Sequence, residues 1–415
     1  MTIRQREHIQ IQTPTFGLPR VDLLLLAIII ILLVVGLLMI WSITLPLNAG
    51  AGRDPFADVI KQTGFAFAGL VALFVAMRVD YRLWDRLAVP MFALTVPVLI
   101  ALLFADPVNG ARRWFNLLGE GTIQPAELAK FTFIVYIAKW LSSKGAKLRQ
   151  VTYGLIPFAV LVGFVDGLIV LQPNLSTAII LGVCAVTMFF IAGADIVQFL
   201  LLIVGGGITV ALVVLRTPYL LERLTGYFGD PLAVAGGASY HISQTIIALG
   251  SGGFFGRGLG MGAGKFGFVP TPQTDSIFAM LGEELGLVGT WGVLALFLAL
   301  AYRGFHIAAK TRDPFGQLLA TGITVWLVFQ AFVNMGVNTA SIPFTGVPLP
   351  FISYGGSAMI AALGAVGVLL SISRTGGEIE KEKDASFAFG WRNGGARLSG
   401  ARRRRGTAEE RRARD

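Results

Sequence analysis

Ten stretches of this chain are apolar over about the 20 residues that a helix needs to cross a bilayer core. They cover residues 21–45, 59–78, 87–105, 124–142, 153–171, 174–193, 197–216, 276–302, 316–338 and 348–373. Inside hydrocarbon, only helices and closed barrels pair every backbone group, and long unbroken apolar runs select the helix. The expected fold class is therefore an all-α integral membrane protein with ten transmembrane helices. Composition agrees: 14% of residues are charged and the mean hydropathy is +0.71, against about 25% charged in a soluble domain. No interval between the runs holds a soluble domain of useful size. The run from Val21 is long enough to span and lacks a small-residue cleavage site, so it reads as a span and not as a signal peptide.

Basic residues set the orientation, because short cytoplasmic loops collect Lys and Arg. With the N-terminus inside, the inner connections hold Arg78, Arg82, Arg86, Lys139, Lys144, Lys147, Arg149, Arg303, Lys310 and Arg312. Ten spans return the C-terminus to the cytoplasm. The expected domains are a cytoplasmic segment 1–20, a membrane domain 21–375 and a basic, disordered tail 376–415. Outer loops fall at 106–123, 217–275 and 339–350, the large one between the seventh and eighth spans. Within it, Tyr219–Phe228 mixes aromatics with Glu222 and Arg223 and reads as a helix in the interface. The net charge of +10 follows from this asymmetry and does not point to nucleic acid. Cys184 stands alone, which excludes an internal disulfide and a Cys-based zinc site.

The large outer loop carries nine glycines between Gly250 and Gly267, then Pro270, Pro272 and Asp275, where the eighth span begins. A carboxylate at a membrane boundary is costly and usually faces a cavity. Asp275 also fits a helix N-terminal acid favoured by the dipole, with Thr274 or Gln273 as cap. At 100° per residue Glu283 is about 80° round from Asp275 and Glu284 about opposite, so only Glu283 could share its cavity. Glu127 and Lys130 share one face of the fourth span, after Gln124 as cap and Pro125 in the first turn. They read as a buried pair, a cavity lining, or both. Arg112, Arg113 and Trp114, with Arg257 and Lys265, break the positive-inside pattern and would suit an anionic headgroup such as a pyrophosphate. Glycine N–H groups could cradle its oxygens. The last outer loop packs Pro343, Pro348 and Pro350 with Gly346, Gly355, Gly356 and Ser357, an irregular backbone that must line a cavity or be buried. Gly262, Gly264 and Gly267 match GxGxxG, but no strand precedes them. His8, His241 and His306 offer no metal-ligand spacing.

Six segments carry a resemblance: GARRW (110–114), IQPAELAK (123–130), LQPNLSTA (171–178), ALGSGGFFGRGLGMG (248–262), TDSIFAMLGEELGLVG (274–289) and TGVPLPFISYGGS (345–357). In this order, over about residues 20–375, the chain resembles the SEDS family of FtsW/RodA/SpoVE-type peptidoglycan glycosyltransferases. The resemblance implies the ten-helix SEDS fold and polymerisation of lipid II on the outer face of the cytoplasmic membrane. It implies Asp275 as the catalytic carboxylate and general base. Glu127 and Lys130 match the family's charge pair, Trp114 its loop aromatic, and Ser357 closes its last motif. The expected cavity set is Arg112, Arg113, Trp114, Gln124, Glu127, Lys130, Arg257, Lys265, Glu283 and Ser357. A divalent cation is an option, with no certain cofactor. The implied partners are lipid II, a class B penicillin-binding protein transpeptidase and other divisome membrane proteins, since 129–145 and 311–324 look closer to the division-type FtsW branch. Asn174, Ser176 and Gln273 depart from the family pattern, so neither an acid at 174 nor a histidine at 273 can be required here. A lipid flippase is the rival reading, but no inverted half-to-half repeat is evident.

Overall fold

A computed structural model describes residues 21–106, 114–116, 122–228 and 238–374. The expected N-terminal segment and basic tail lie outside these residues. The helices are α1 Leu23–Gly50, α2 Ala57–Arg78, α3 Arg82–Leu102, α4 Pro125–Lys144, α5 Ile156–Val170, α6 Leu175–Ile191, α7 Ile196–Arg216, α8 Pro218–Phe228, α9 Ala238–Gly252, α10 Ile277–Lys310, α11 Pro314–Asn338 and α12 Gly356–Arg374. Two short strands, β1 Phe115–Asn116 and β2 Thr122–Ile123, pair antiparallel; the other regular elements described are helical.

Among the described residues, eight helices are long and apolar enough to cross a membrane: α1, α2, α3, α5 with its lead-in from Val151, α7, α10, α11 and α12. The other two expected spans fall on α6, which is apolar but has only 17 residues, and on α4. α4 carries Glu127, Lys130, Lys139 and Lys144, which lowers its apolar content. Both α4 and α6 pack against α11. α11 is the axis of the bundle, with both faces buried; α7 buries only Gln198. The core between them is branched and aromatic, including Phe133, Phe158, Phe189, Ile323 and Leu327.

Two boundaries differ in ways that matter. The last span was expected from 348, but α12 starts at Gly356. Residues 339–355 instead form a folded loop, because Pro348 and Pro350 bring no N–H to a helix ladder. In the large loop, the helix expected at Tyr219–Phe228 is α8, and a second helix, α9, precedes the glycine segment. α9 lies along the first turns of α10. α10 is interrupted at Gly286, whose φ of 67° and ψ of −162° no helix contains.

Candidate active site

One helix of the bundle carries a row of large polar side chains. Trp326, Gln330, Asn334 and Asn338 recur every four residues on α11, so they stack on one face. All four are buried. Buried amides need partners, and these find them on three neighbouring segments. Gln330 Oε1 accepts from Lys130 Nζ at 2.7 Å and from Trp326 Nε1 at 2.9 Å, while its Nε2 donates to Pro348 O. Asn334 Nδ2 donates to Val347 O and to Asp275 O, at 2.7 and 2.9 Å. Asn338 Nδ2 donates to Asp275 O as well, at 2.9 Å.

The loop after α11 is tied to the same stretch. Tyr354 N–H donates to Gln273 O and Ser353 Oγ to Thr274 O. Three consecutive carbonyls, those of Gln273, Thr274 and Asp275, are thus held from α11 and its following loop. Asp275 itself is half-buried, one residue before Ser276, the N-cap of α10. It is therefore displayed at the end of the helix and is not part of its first turn. Its Oδ2 would lie 3.5 Å from a Cβ built on Gly346, so the 345–347 backbone passes within ordinary contact distance of the carboxylate, in a left-handed turn at φ 66°.

The Asp275 turn is also fixed from below. Ser276 Oγ donates to Pro270 O, and His241 Nε2 of α9 lies 2.7 Å from the same hydroxyl. With its one proton committed to Pro270, the serine oxygen accepts from His241, which makes the ring a neutral Nε2–H donor. Burial first, and then the charge of Arg223, push the His241 pKa down to about 4. The ring lies tilted against Phe344 at 4.0 Å, and the Arg223 guanidinium of α8 sits over the Phe344 and Tyr219 rings. Tyr354 donates to Asp58 Oδ1 at 3.5 Å; burial, then Asp58, push its phenol up to about 12.

The expected pair on α4 forms: Lys130 Nζ lies 2.8 Å from Glu127 Oε2, with both side chains buried. Glu127 lines a narrow pocket with Trp326, Gln330, Pro348, Ser353 and Met359. Asp275 is not in that lining. Ser353 joins the two, since it faces the pocket and donates to Thr274 O. Gln124 sits at the N-cap of α4 without a side-chain cap bond; its N–H donates to Ser357 Oγ at 3.2 Å, which links the starts of α4 and α12. Trp114 is half-buried next to β1 in sequence, and Arg112 and Arg113 lie outside the described residues.

Two expected cavity residues are placed elsewhere. Lys265 is buried and its Nζ lies 2.9 Å from Glu284 Oε1, with Ser42 of α1 closing the group. A cation buried in a pair is not available to an outer headgroup. Glu283, about 12 Å along the helix from Asp275, accepts the N–H groups of Ala263 and Gly264 and faces Arg257 at 3.6 Å. The two acids fasten the glycine segment to α10. The glycines themselves serve close packing. A Cβ at Gly252 would strike Gly282 O, and one at Gly256, at φ 81°, would strike Glu284 O.

Sequence reasoning had overlooked the α11 amides. Their four-residue spacing inside an apolar helix was the available signal. Around the Asp275 turn, Asn174 Nδ2, Gln273 Oε1, Asn338 Oδ1 and Thr345 Oγ1 are buried without a protein partner. Such atoms take water or a ligand. Among the described residues, no three His, Cys, Asp or Glu side chains gather as a metal cage.

Fold and site together define a polytopic helical membrane protein that holds a carboxylate-bearing turn at one end of its bundle. The family model described as FTSW_RODA_SPOVE, cell cycle protein, matches residues 22–377. Stage V sporulation protein E of Bacillus subtilis is 39% identical over 360 residues, 85% of this chain and 97% of that one. A probable peptidoglycan glycosyltransferase FtsW of Trichlorobacter lovleyi is 36% identical over 372 residues, 88% and 96%. The crystal structure of the Thermus thermophilus rod shape determining protein RodA has a TM-score of 0.63 and 28% identity, covering 85% of this chain and 97% of that chain. A chain from a peptidoglycan synthase complex that coordinates polymerization and crosslinking reaches a TM-score of 0.69 at 28% identity, covering 86% and 98%. This chain belongs to the FtsW/RodA/SpoVE family.

Proposed function

We propose that this protein is a peptidoglycan glycosyltransferase that polymerises lipid II into glycan strands on the outer face of the cytoplasmic membrane, during septal wall synthesis. The observation that carries this reading is the Asp275 turn. Its backbone is held from three sides and its carboxylate stands at the head of α10, among buried polar atoms that lack protein partners. Ten spans follow if α4 and α6 also cross, and the basic inner connections support a reading with both termini in the cytoplasm and the Asp275 end outside. Relatives named peptidoglycan glycosyltransferase support the activity.

The acceptor is a sugar 4-hydroxyl of lipid II. Asp275 takes its proton as general base, which needs hydrogen-bond reach. The freed oxygen attacks the anomeric carbon of the donor strand. The bond to undecaprenyl pyrophosphate breaks with inversion, and that pyrophosphate leaves with the electron pair. Charge grows on the leaving group, and preorganised cations stabilise such charge most effectively. Arg112, Arg113 and the partly exposed Arg257 take this role; Lys265 is spent on Glu284. The Glu127–Lys130 pair and Trp114 shape the cavity, and Ser357 positions α4. A transpeptidase partner of the class B penicillin-binding type crosslinks the product, in keeping with the synthase complex that this chain resembles, and other divisome proteins recruit the pair to the septum.

The test is direct. Purified protein incubated with lipid II, alone and with its transpeptidase, is expected to yield polymer on a gel. Asp275→Asn is expected to abolish polymer, by on the order of a hundredfold or more for a lost general base, with an unchanged melting temperature. Full activity of that variant would sink the base assignment.

A further inference from the structure

The glycine segment was expected to be part of the large outer loop, and much of its backbone is bonded to α10 and to itself. Gly256 N–H donates to Gly252 O, Arg257 to Glu283 O, Gly258 to Glu284 O and Met261 to Gly258 O. Gly260, Ala263 and Gly264 N–H groups go to Ser42, Glu284 and Glu283. In return, the break in α10 at Gly286 frees Leu287 and Val288 N–H groups, which donate to Gly253 O and Phe254 O. Irregular backbone at membrane depth must be satisfied within the protein, and these bonds do so along the side that faces α10.

The side chains give the complementary picture. Phe254, Phe255, Leu259, Met261, Phe266 and Phe268 are all exposed, each over more than half of its surface. Lys265 is turned inward and Arg257 is the only exposed charge between residues 253 and 268.

Two layers of polar contacts give the depth. Arg303 pairs with Asp22 at one end of α1 and α10. Glu284 meets Ser42 and Lys265 at the other. Asp22 to Ser42 is twenty residues and Arg303 to Glu284 is nineteen, about 30 Å at helical rise and equal to a hydrocarbon core. α9 descends beside α10 from His241, opposite Ser276, to Gly252, opposite Gly282. The turn at Phe254, paired to Val288, therefore lies about one helical turn inside the core on the Asp275 side.

We propose that residues 253–268 are a re-entrant wedge set into the membrane leaflet on the Asp275 side, with lipid acyl chains as the partner of its six apolar side chains. The same level of α1 and α10 already presents Trp41, Leu287, Val288 and Trp291 outward, so the wedge continues a lipid-facing belt. Arg257 sits where a phosphate headgroup would meet it.

Spin labels test this in the full chain reconstituted in lipid vesicles, with Cys184→Ser as background. Labels at Phe255→Cys and Met261→Cys are expected to be open to oxygen and closed to a water-soluble nickel chelate, at the level of a Leu201→Cys label on α7. A chelate accessibility equal to that of Asp54→Cys, in the α1–α2 connection, would overturn the proposal. Unsubstituted protein provides the second arm: a carbene generated from a lipid-soluble diazirine is expected to mark peptides from 253–268, and their complete protection would overturn it as well.

Discussion

Lys265 and Glu284 carry opposite charges into a place that solvent does not reach. Removing one partner of such a pair strands the other, at a cost of about 3–5 kcal/mol. Lys265→Met is therefore expected to lower the melting temperature of the purified protein sharply, and Lys265→Met with Glu284→Leu to recover much of the loss. A phosphate-binding lysine would give the opposite pattern, with normal melting and lost activity. His241 makes a different prediction. Its folded pKa of about 4 lies below the unfolded value near 6.5. Between those values the unfolded chain binds a proton that the folded chain refuses, so this contribution is full above about pH 6.5 and drains as pH falls toward 4. Melting temperatures measured across that window are expected to fall, and His241→Gln to flatten its share of the fall. Asp275, Glu127 and Lys130 could be singled out in the sequence because charge among apolar residues stands out. Lys265 could not be assigned, because a cation in a glycine loop looks the same whether it meets water or Glu284.

At the scale of elements, α11 and the α9–α10 hairpin organise the site. The α11 row was legible as a four-residue polar period, yet its partners were not, since they are carbonyls of distant loops. α9 was legible as a polar, helix-like opening from Ser239, but not its packing along α10. The glycine run itself could equally have been a phosphate cradle, a hinge or a packing surface. Which of these it is depends on the backbone of α10, which lies within van der Waals reach at Gly252, Gly256 and Gly286. Gly256→Ala is expected to destabilise the fold: left-handed strain alone costs about 1–3 kcal/mol, and its Cβ meets the Glu284 carbonyl. Gly253→Ala shares the positive φ but has open space, so thermal melts of the two variants separate strain from collision.

For the whole molecule, hydropathy alone indicated the class, and most span ends fell within a few residues of the observed ones. The largest exceptions were the far end of α10, which runs to Lys310 and not 302, and two stretches at the Asp275 end, 348–355 and 238–252. At the Asp275 end the chain folds back on the bundle, and tertiary bonds replace the regular period that makes a helix readable. One consequence reaches beyond the single chain. Asn334 and Asn338 hold residue 275 by its main-chain carbonyl, a grip that is indifferent to the side chain attached. An Asp275→Ala chain should thus keep its shape and still compete for places in the wall-building machinery. Co-expressed with the normal chain, it is expected to act as a dominant poison, slowing growth in proportion to its dose, whereas a variant that fails to fold would be recessive.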